Sequence, residues 1–348
     1  MAQTTASPPL PMFRGRGPAQ DGATRSRFPM RKSYAALDLG TNNCRMLIAR
    51  PEGEGFFIVD AFSRIVRLGE GLGASGRLSE AAMDRAVAAL TICADKLMRR
   101  NVHLARSVAT EACRRAVNGA EFVDRVYRET GIMLDVISTE EEARLAVVGC
   151  HKLLETGEGP ALVFDIGGGS TELVVVETRG GEPHVIDWLS VPWGVVSLAE
   201  SEEQDHPTLD ARLACYENMR GNVRDSFAAF AARQPEAVGP LRLLGTSGTV
   251  TTLASVYLKL ASYDRKQIDG LIVPSEAMRK ISQDLSEMSV GERAALPCIG
   301  PERADLVVAG CAILDAILDI WPAERVGVAD RGIREGILRQ LMQSGAGR

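Results

Sequence analysis

The sequence predicts an α/β protein built from two related domains, each opening with a hairpin and carrying flanking helices, with a cleft between them. Three observations carry this prediction. An apolar strand, a tight glycine turn and a second strand follow one another at 34–50, as Y-A-A-L-D-L-G-T-N-N and then C-R-M-L-I-A-R. The same order returns at 161–177, as A-L-V-F-D-I-G-G-G-S and then T-E-L-V-V-V-E, so that Asp38-x-Gly40 and Asp165-x-Gly167 hold equivalent places in two repeats. Around them, strands alternate with segments whose apolar residues recur every three or four positions. At 348 residues the chain is long enough for two cores.

Residues 1–33 mix Arg14, Arg16, Arg25, Arg27, Arg31 and Lys32 with Pro, Gly, Ser and Thr, and read as a disordered basic arm without the apolar run of a secretory signal. The first domain is assigned to 34–145. After its opening hairpin, a turn at 53–55 leads into the strand F-F-I-V-D-A-F-S-R-I-V-R-L. Past the loop G-E-G-L-G at 69–73, Ser79 can cap a helix whose inner face carries Met83, Ala86, Val87, Leu90, Ala94, Leu97 and Met98. A strand at 104–110, a helical stretch to Thr130, a strand at 132–138 and a helix from Thr139 complete it. The second domain is assigned to 146–333. Its own hairpin is followed by a third glycine-rich turn, L-L-G-T-S-G-T-V at 243–250, between a short strand and a helix. Leu306 to Trp321 is the longest apolar stretch; Asp315 and Asp319 interrupt it, which predicts a buried helix and no membrane span. A last helix, 334–348, is expected to return to the first domain.

The formal net charge of −5 argues against a surface built to hold duplex nucleic acid, so any polyanion must be gripped locally. Seven scattered cysteines, with no Cys-x-x-Cys pair, suggest neither a disulfide framework nor a thiolate zinc site and point to a reducing, cytoplasmic setting. The four histidines, at 103, 151, 184 and 206, have neither metal-ligand spacing nor a neighbouring nucleophile motif. Cys44 and Cys113 are placed near the cleft, but without a base each reads as a small core residue.

Glycines after strands let several backbone N–H groups converge on one anion, and phosphate is the natural guest. Asp165 precedes Gly167, Gly168 and Gly169, Ser170 and Thr171 add hydroxyls, and Glu172 stands across the turn. Two carboxylates beside a phosphate loop call for a hard cation such as Mg²⁺. The turn lacks the Lys of a P-loop, and β-branched T-E-L-V-V-V-E follows it where a Rossmann fingerprint needs a helix. A base to activate water must then be a carboxylate, and S-T-E-E-E-A-R at 138–144 offers three. The same residues fit a capping box in which Glu142 reaches back to the Thr139 N–H while Glu140 and Glu141 favour the helix start. Arg114 and Arg115 could clamp phosphate or could face solvent.

Six segments together, D-L-G-T-N (38–42), A-T-E-A-C-R-R-A-V-N (109–118), I-S-T-E-E-E-A-R-L (137–145), D-I-G-G-G-S-T-E-L (165–173), G-T-S-G-T (245–249) and D-R-G-I-R-E-G-I-L (330–338), resemble the exopolyphosphatase and guanosine pentaphosphate phosphohydrolase (Ppx/GppA) family. The resemblance covers about 34–340. It implies the fold of the actin, sugar kinase and heat-shock ATPase superfamily (ribonuclease H-like), with a five-stranded mixed sheet in each domain and the active site in the cleft. It implies a hydrolase releasing terminal phosphate from inorganic polyphosphate, with guanosine pentaphosphate as an additional or alternative substrate. Glu142 becomes the water-activating base and Asp165, Glu172 and Asp38 the Mg²⁺ carboxylates. The phosphate-binding set becomes Gly40, Thr41, Asn42, Arg114, Gly167, Gly168, Gly169, Ser170, Gly245, Ser247 and Gly248. The resemblance is to the short form, without the C-terminal HD-type domain of long members, and Glu111 stands where many relatives have a small or neutral residue. An ATP-dependent kinase of the same superfamily and a weakly active alarmone or polyphosphate sensor are the rival readings. No membrane or duplex partner is expected, and a homodimer is compatible with the reading.

Overall fold

The computed structural model describes residues 32–346 apart from 158, 204 and 235–240; the basic arm up to Arg31 lies outside the described residues. In the first half, β1 (Ser33–Leu39), β2 (Asn43–Glu52), β3 (Gly55–Ile65), β4 (Val102–Ala109) and β5 (Leu134–Val136) form a sheet in the order β3-β2-β1-β4-β5. The β1–β2 and β2–β3 pairs are antiparallel, while β4 and β5 run parallel to β1. The connections are α1 (Leu72–Ser75), α2 (Glu80–Arg99), α3 (Glu111–Arg115) and α4 (Gly119–Thr130), and the half ends in α5 (Thr139–Cys150). Ser79 caps α2, its hydroxyl accepting from the Ala82 N–H at 3.2 Å.

The second half repeats the plan. Strands β6 (Ala161–Ile166), β7 (Thr171–Arg179), β8 (Glu182–Val191) and β9 (Arg242–Thr246), with β10 (Ile272–Pro274) and β11 (Arg325–Ala329), form a sheet ordered β8-β7-β6-β9-β11-β10. Its first five strands match the order and directions of the first sheet, and the short β10 adds a sixth, antiparallel strand at the edge. Its helices are α6 (Val195–Ser201), α7 (Leu209–Ala231), α8 (Gly248–Tyr257), α9 (Arg265–Ile268), α10 (Ser275–Glu287), α11 (Val290–Ala294) and α12 (Val307–Ile320), and α13 (Ile333–Ala346) closes the chain. The apolar run ending at Trp321 is the buried α12; its Asp315 accepts from the Tyr216 hydroxyl at 2.6 Å, and Asp319 pairs with Arg220 and Arg279. Among the described residues no helix is long and apolar enough to cross a membrane.

Successive strand residues face opposite sides of a sheet, and that alternation decides what each side carries. Ala35, Leu37 and Leu39 of β1 and Cys44, Met46 and Ile48 of β2 join α2 and α4 in one core. Tyr34, Ala36, Leu47 and Ala49 face the other way, onto α5 and α13. In the second sheet Leu162, Phe164 and Ile166 enter the large core with α7 and α12, whereas Ala161, Val163, Val174 and Val176 meet α5. By the same parity Asp38, Arg45, Asp165 and Glu172 all stand on the sides occupied by α5 and α13.

These two helices join the halves. Leu145 and Ala146 of α5 belong to the cluster of the first sheet, while Ala143, Val147 and Cys150 belong to that of the second. Ile333, Ile337, Leu338 and Leu341 bring α13 onto the first sheet. The helices cross backbone to backbone: a Cβ on Gly149 would stand 2.0 Å from the Gly332 carbonyl oxygen, and one on Gly336 2.2 Å from that of Leu145. A second contact between the halves is the bidentate pair from Arg67 to Asp305, at 2.8 and 3.2 Å, beside a hydrogen bond from the Gly71 N–H to Glu200.

The crossing predicts that Gly149→Ala or Gly336→Ala destabilises the fold. Alanine improves helix propensity by about 1 kcal/mol. Overpacking against backbone that cannot yield outweighs this, for a net loss of about 1–3 kcal/mol. Urea titration checks it; a variant as stable as the parent would show that the helices can separate without cost.

Candidate active site

The two hairpin turns are closed in the same way. The Gly40 N–H donates to the Asn43 carbonyl at 2.9 Å, and the Gly167 N–H to that of Ser170 at 3.0 Å. Those two donors are therefore consumed by the turns, and the N–H groups of Thr41, Asn42, Gly168, Gly169 and Ser170 bond to no described acceptor. The turns touch across the domain boundary. A Cβ on Gly168 would stand 2.9 Å from the Asn42 nitrogen, and one on Gly169 2.5 Å from the Thr41 Oγ1. Behind them, Gly194 lies against the Gly168 backbone so closely that its own Cβ would fall 2.4 Å from the Gly168 carbonyl carbon. Any side chain in this run would wedge the loops apart.

The third glycine turn contributes only in part. Ser247 and Gly248 line the cleft at the start of α8, and Ser247 has a left-handed backbone with φ 80°. Its hydroxyl lies near Asp165 and favours the charged carboxylate. Gly245 does not reach the cleft: it is paired with Phe164 inside the sheet, and a Cβ there would stand 2.6 Å from the Phe164 ring. The glycine makes room for that ring and is removed from the expected phosphate-binding set.

Asp38, Asp165, Glu172 and Glu142 line the cleft. Asp165 and Glu172 are directly opposite in the β6–β7 pair. Glu172 is buried and its Oε1 accepts from the Ser190 hydroxyl at 2.8 Å. Asp38 Oδ1 and Asp165 Oδ1 are sealed from solvent without a hydrogen-bond partner. Burial pushes the Asp165 carboxyl up to about 6, opposed by the nearby Ser247 hydroxyl and aided by the Asp38 charge. Burial, with repulsion from Asp165, pushes Glu172 up to about 7, and burial also raises Asp38. Among the described residues no three side chains of His, Cys, Asp or Glu converge into a metal cage. Asp38 comes from the other half of the molecule, so the three carboxylates named from the sequence do not form a ready-made set.

The capping box expected at the start of α5 is absent. The cap is Ser138, whose hydroxyl accepts from the Glu141 N–H at 3.2 Å, one residue ahead of the expected Thr139. This register leaves Glu142 beyond the capping positions, with its side chain turned to Arg114, whose Nη1 donates to Glu142 Oε2 at 3.0 Å. Glu142 is buried, and burial with the nearby Glu172 charge raises its carboxyl well above the usual range against the opposing effect of Arg114. Arg114 is itself held by protein: it also donates to the Ile137 carbonyl at 2.8 Å and, through Nε and Nη2, to Glu111 Oε2.

The positive side of the cleft comes from arginines that sequence reasoning did not assign: Arg45, Arg303, Arg331 and Arg334. The guanidinium groups of Arg45 and Arg334 bond to no described residue. The segment D-R-G-I-R-E explains how Arg334 is presented. Asp269 accepts from the Asp330 N–H and from Arg331 Nε, while Glu335 accepts from the Gly332 N–H and from Arg265. One signal was available: Arg45 follows Asp38 at the spacing by which Glu172 follows Asp165, and it pairs directly across from Asp38. Cys44 points into the core of the first half, and burial pushes the Cys113 thiol up to about 12, so neither is a nucleophile here. None of the four histidines lines the cleft.

Comparison with known proteins agrees with this geometry. The family model described as "Ppx/GppA phosphatase family" matches residues 47–345. An exopolyphosphatase 2 of Mycobacterium tuberculosis is 33% identical over 327 residues, covering 88% of this chain and 98% of that one. A guanosine-5'-triphosphate,3'-diphosphate pyrophosphatase of Aeromonas hydrophila is 30% identical over 319 residues, 89% of this chain but 59% of the longer relative. Among solved structures, an Aquifex aeolicus member of the Ppx/GppA family superposes with TM-score 0.72 at 29% identity, over 90% of this chain and 98% of that one. An exopolyphosphatase-like protein superposes with TM-score 0.79 at 28% identity, over 90% and 99%. Twin glycine turns, facing carboxylates and a glutamate at the start of the joining helix thus occur on a chain that matches along nearly its whole described length, and the chain belongs to the Ppx/GppA phosphatase family.

Proposed function

We propose that the protein is a Mg²⁺-dependent phosphohydrolase that releases terminal orthophosphate from inorganic polyphosphate, with guanosine pentaphosphate as an additional or alternative substrate. The observation that carries the reading is Glu142: a buried carboxylate free of capping duty that lines the same cleft as both glycine turns. The names of the relatives supply the two substrate classes.

The free N–H groups of Thr41, Asn42, Gly168, Gly169 and Ser170 orient the terminal phosphoryl group, and Arg45, Arg303 and Arg334 offset its charge. Glu142 takes a proton from the attacking water at its carboxylate oxygen, and burial raises its proton affinity, which strengthens it as a base. The donor set fits Mg²⁺: hard carboxylate oxygens, two of them sealed and unpartnered, with proton affinities that a nearby cation would lower. Asp165 and Glu172 would hold it, with Asp38 facing them across the cleft and phosphate oxygens and water completing its shell. When bound, it would neutralise charge on the reacting phosphoryl oxygens.

Glu142→Gln keeps size and an acceptor for Arg114 while removing the base. Phosphate release from long polyphosphate, short polyphosphate, guanosine pentaphosphate and ATP, with and without Mg²⁺, is expected to fall roughly 10²- to 10⁴-fold in kcat on the preferred substrate, with Tm near that of the parent. Undiminished turnover in this variant sinks the assignment of the base.

The metal carboxylates give a pH test. Glu172 and Asp165 bind protons more tightly in the folded chain than in the unfolded one. Stability from this pair is therefore full below the unfolded values and is lost as pH rises through about 6 and about 7. Without divalent cations, Glu172→Gln should raise Tm at about pH 8 and leave it little changed at about pH 4.5, where the parent is already protonated. Added Mg²⁺ should raise the Tm of the parent at the higher pH more than that of the variant. A Tm difference independent of pH would separate Glu172 from the cation.

A further inference from the structure

The sequence places a negative charge, Glu111, beside a site for polyanions, and the geometry shows where that charge is spent. Glu111 opens the short helix α3, and three residues on, Arg114 directs two donors at its Oε2, Nε at 3.2 Å and Nη2 at 2.8 Å. On the opposite edge of the guanidinium, Nη1 donates to the Ile137 carbonyl at 2.8 Å and to Glu142 Oε2 at 3.0 Å. A guanidinium has five N–H groups in a fixed plane. Four are committed to protein acceptors, and two of those four go to Glu111. The plane of Arg114, and with it the hydrogen bond that fixes Glu142, is thus set from the Glu111 side. Glu111 is itself restrained by the other half of the molecule, because its Cγ lies 3.1 Å from where a Cβ on Gly169 would stand. That glycine leaves the space the glutamate stem occupies.

We propose that Glu111 is a positioning residue: packed against Gly169 of the opposite phosphate turn, it pins the Arg114 guanidinium so that Arg114 holds the Glu142 carboxylate toward the cleft. This rests on the proposed hydrolysis with Glu142 as base. It differs from a phosphate clamp, in which Arg114 would spend its donors on substrate and Glu111 would only weaken substrate binding. Loss of Glu111 then costs turnover through misplacement of the base and leaves binding intact, or tightens it as Arg114 is released toward phosphate.

The test is a double-mutant cycle on Glu111 and Glu142, read in single turnover with enzyme in excess so that slow variants stay measurable. Glu111→Ala in the parent should lower kcat roughly ten- to a hundredfold, the scale of a misplaced catalytic group, with KM changed less than about twofold. Glu111→Gln, which keeps the length and one acceptor, should lose less. In a Glu142→Gln background, where no base remains to be positioned, Glu111→Ala should change kcat by less than about twofold. Equal losses in both backgrounds, or a loss carried by KM, overturn the proposal and return Glu111 and Arg114 to substrate binding. Should Glu111→Ala not fold, the same cycle with Glu111→Gln is read by the same criterion. If Glu142→Gln alone leaves kcat unchanged, the assignment of the base fails and the role of Glu111 falls with it; additivity with an impaired Glu142→Gln removes only the latter.

Discussion

Four carboxylates, Asp38, Asp165, Glu172 and Glu142, line one cleft in which two of them are buried and the other two have an oxygen sealed from water. Placing negative charge where water is excluded is costly unless something else answers it. Much of the remaining construction serves that constraint. Unbonded arginines face the acids, and two glycine turns hold free N–H donors at the point where the acids meet. The glycines are required twice over, because the turns touch each other and Gly168 is also packed from behind by Gly194. A cleft in this condition is poised for a ligand that brings anionic oxygens together with a cation, and less suited to either alone.

The two halves meet this constraint with the same hairpin and opposite charges. Gly40 and Gly167 close their turns with equivalent hydrogen bonds, and Asp38 and Asp165 end equivalent strands. Opposite Asp38 stands Arg45; opposite Asp165 stands Glu172. One register position therefore decides that the first turn carries its own counter-charge and the second does not. The duplicated fold has become polar, with an acid facing an arginine across the first hairpin and an acid facing an acid across the second.

The fold was legible in the sequence because its signals are local. Period-two alternation around Asp38 and Asp165, glycine turns and the heptad-like face of α2 each depend on neighbouring residues. The sixth strand was not legible: Ile272–Pro274 is three residues long and ends in proline, so it has no pattern of its own. In the site, the glycine turns and the Asp165–Glu172 pair that line the cleft could be read from spacing, while the partners of each acid could not. That Ser138 and not Thr139 caps α5 is a shift of one residue, yet it turns Glu142 from a cap into a cleft residue. Gly245 looked like a phosphate glycine because the string G-T-S-G-T resembles one, but its role is set by Phe164 on a strand about eighty residues away in sequence, which only three-dimensional packing reveals. Arg45 was readable in principle from the internal repeat.

The exchange of end helices bears on how the chain is made. The first half ends in α5, which helps to cover the second sheet, and the second half ends in α13, which covers the first. The ribosome delivers β1 and β2 early and α13 last, so one apolar side of the first sheet, with Tyr34, Ala36, Leu47 and Ala49, has to wait until nearly all the chain has emerged. Domains that mature one after another during translation are each finished before the next begins. Here α5 can cover only part of that side, and the rest, which α13 covers, stays open to solvent until synthesis is almost over.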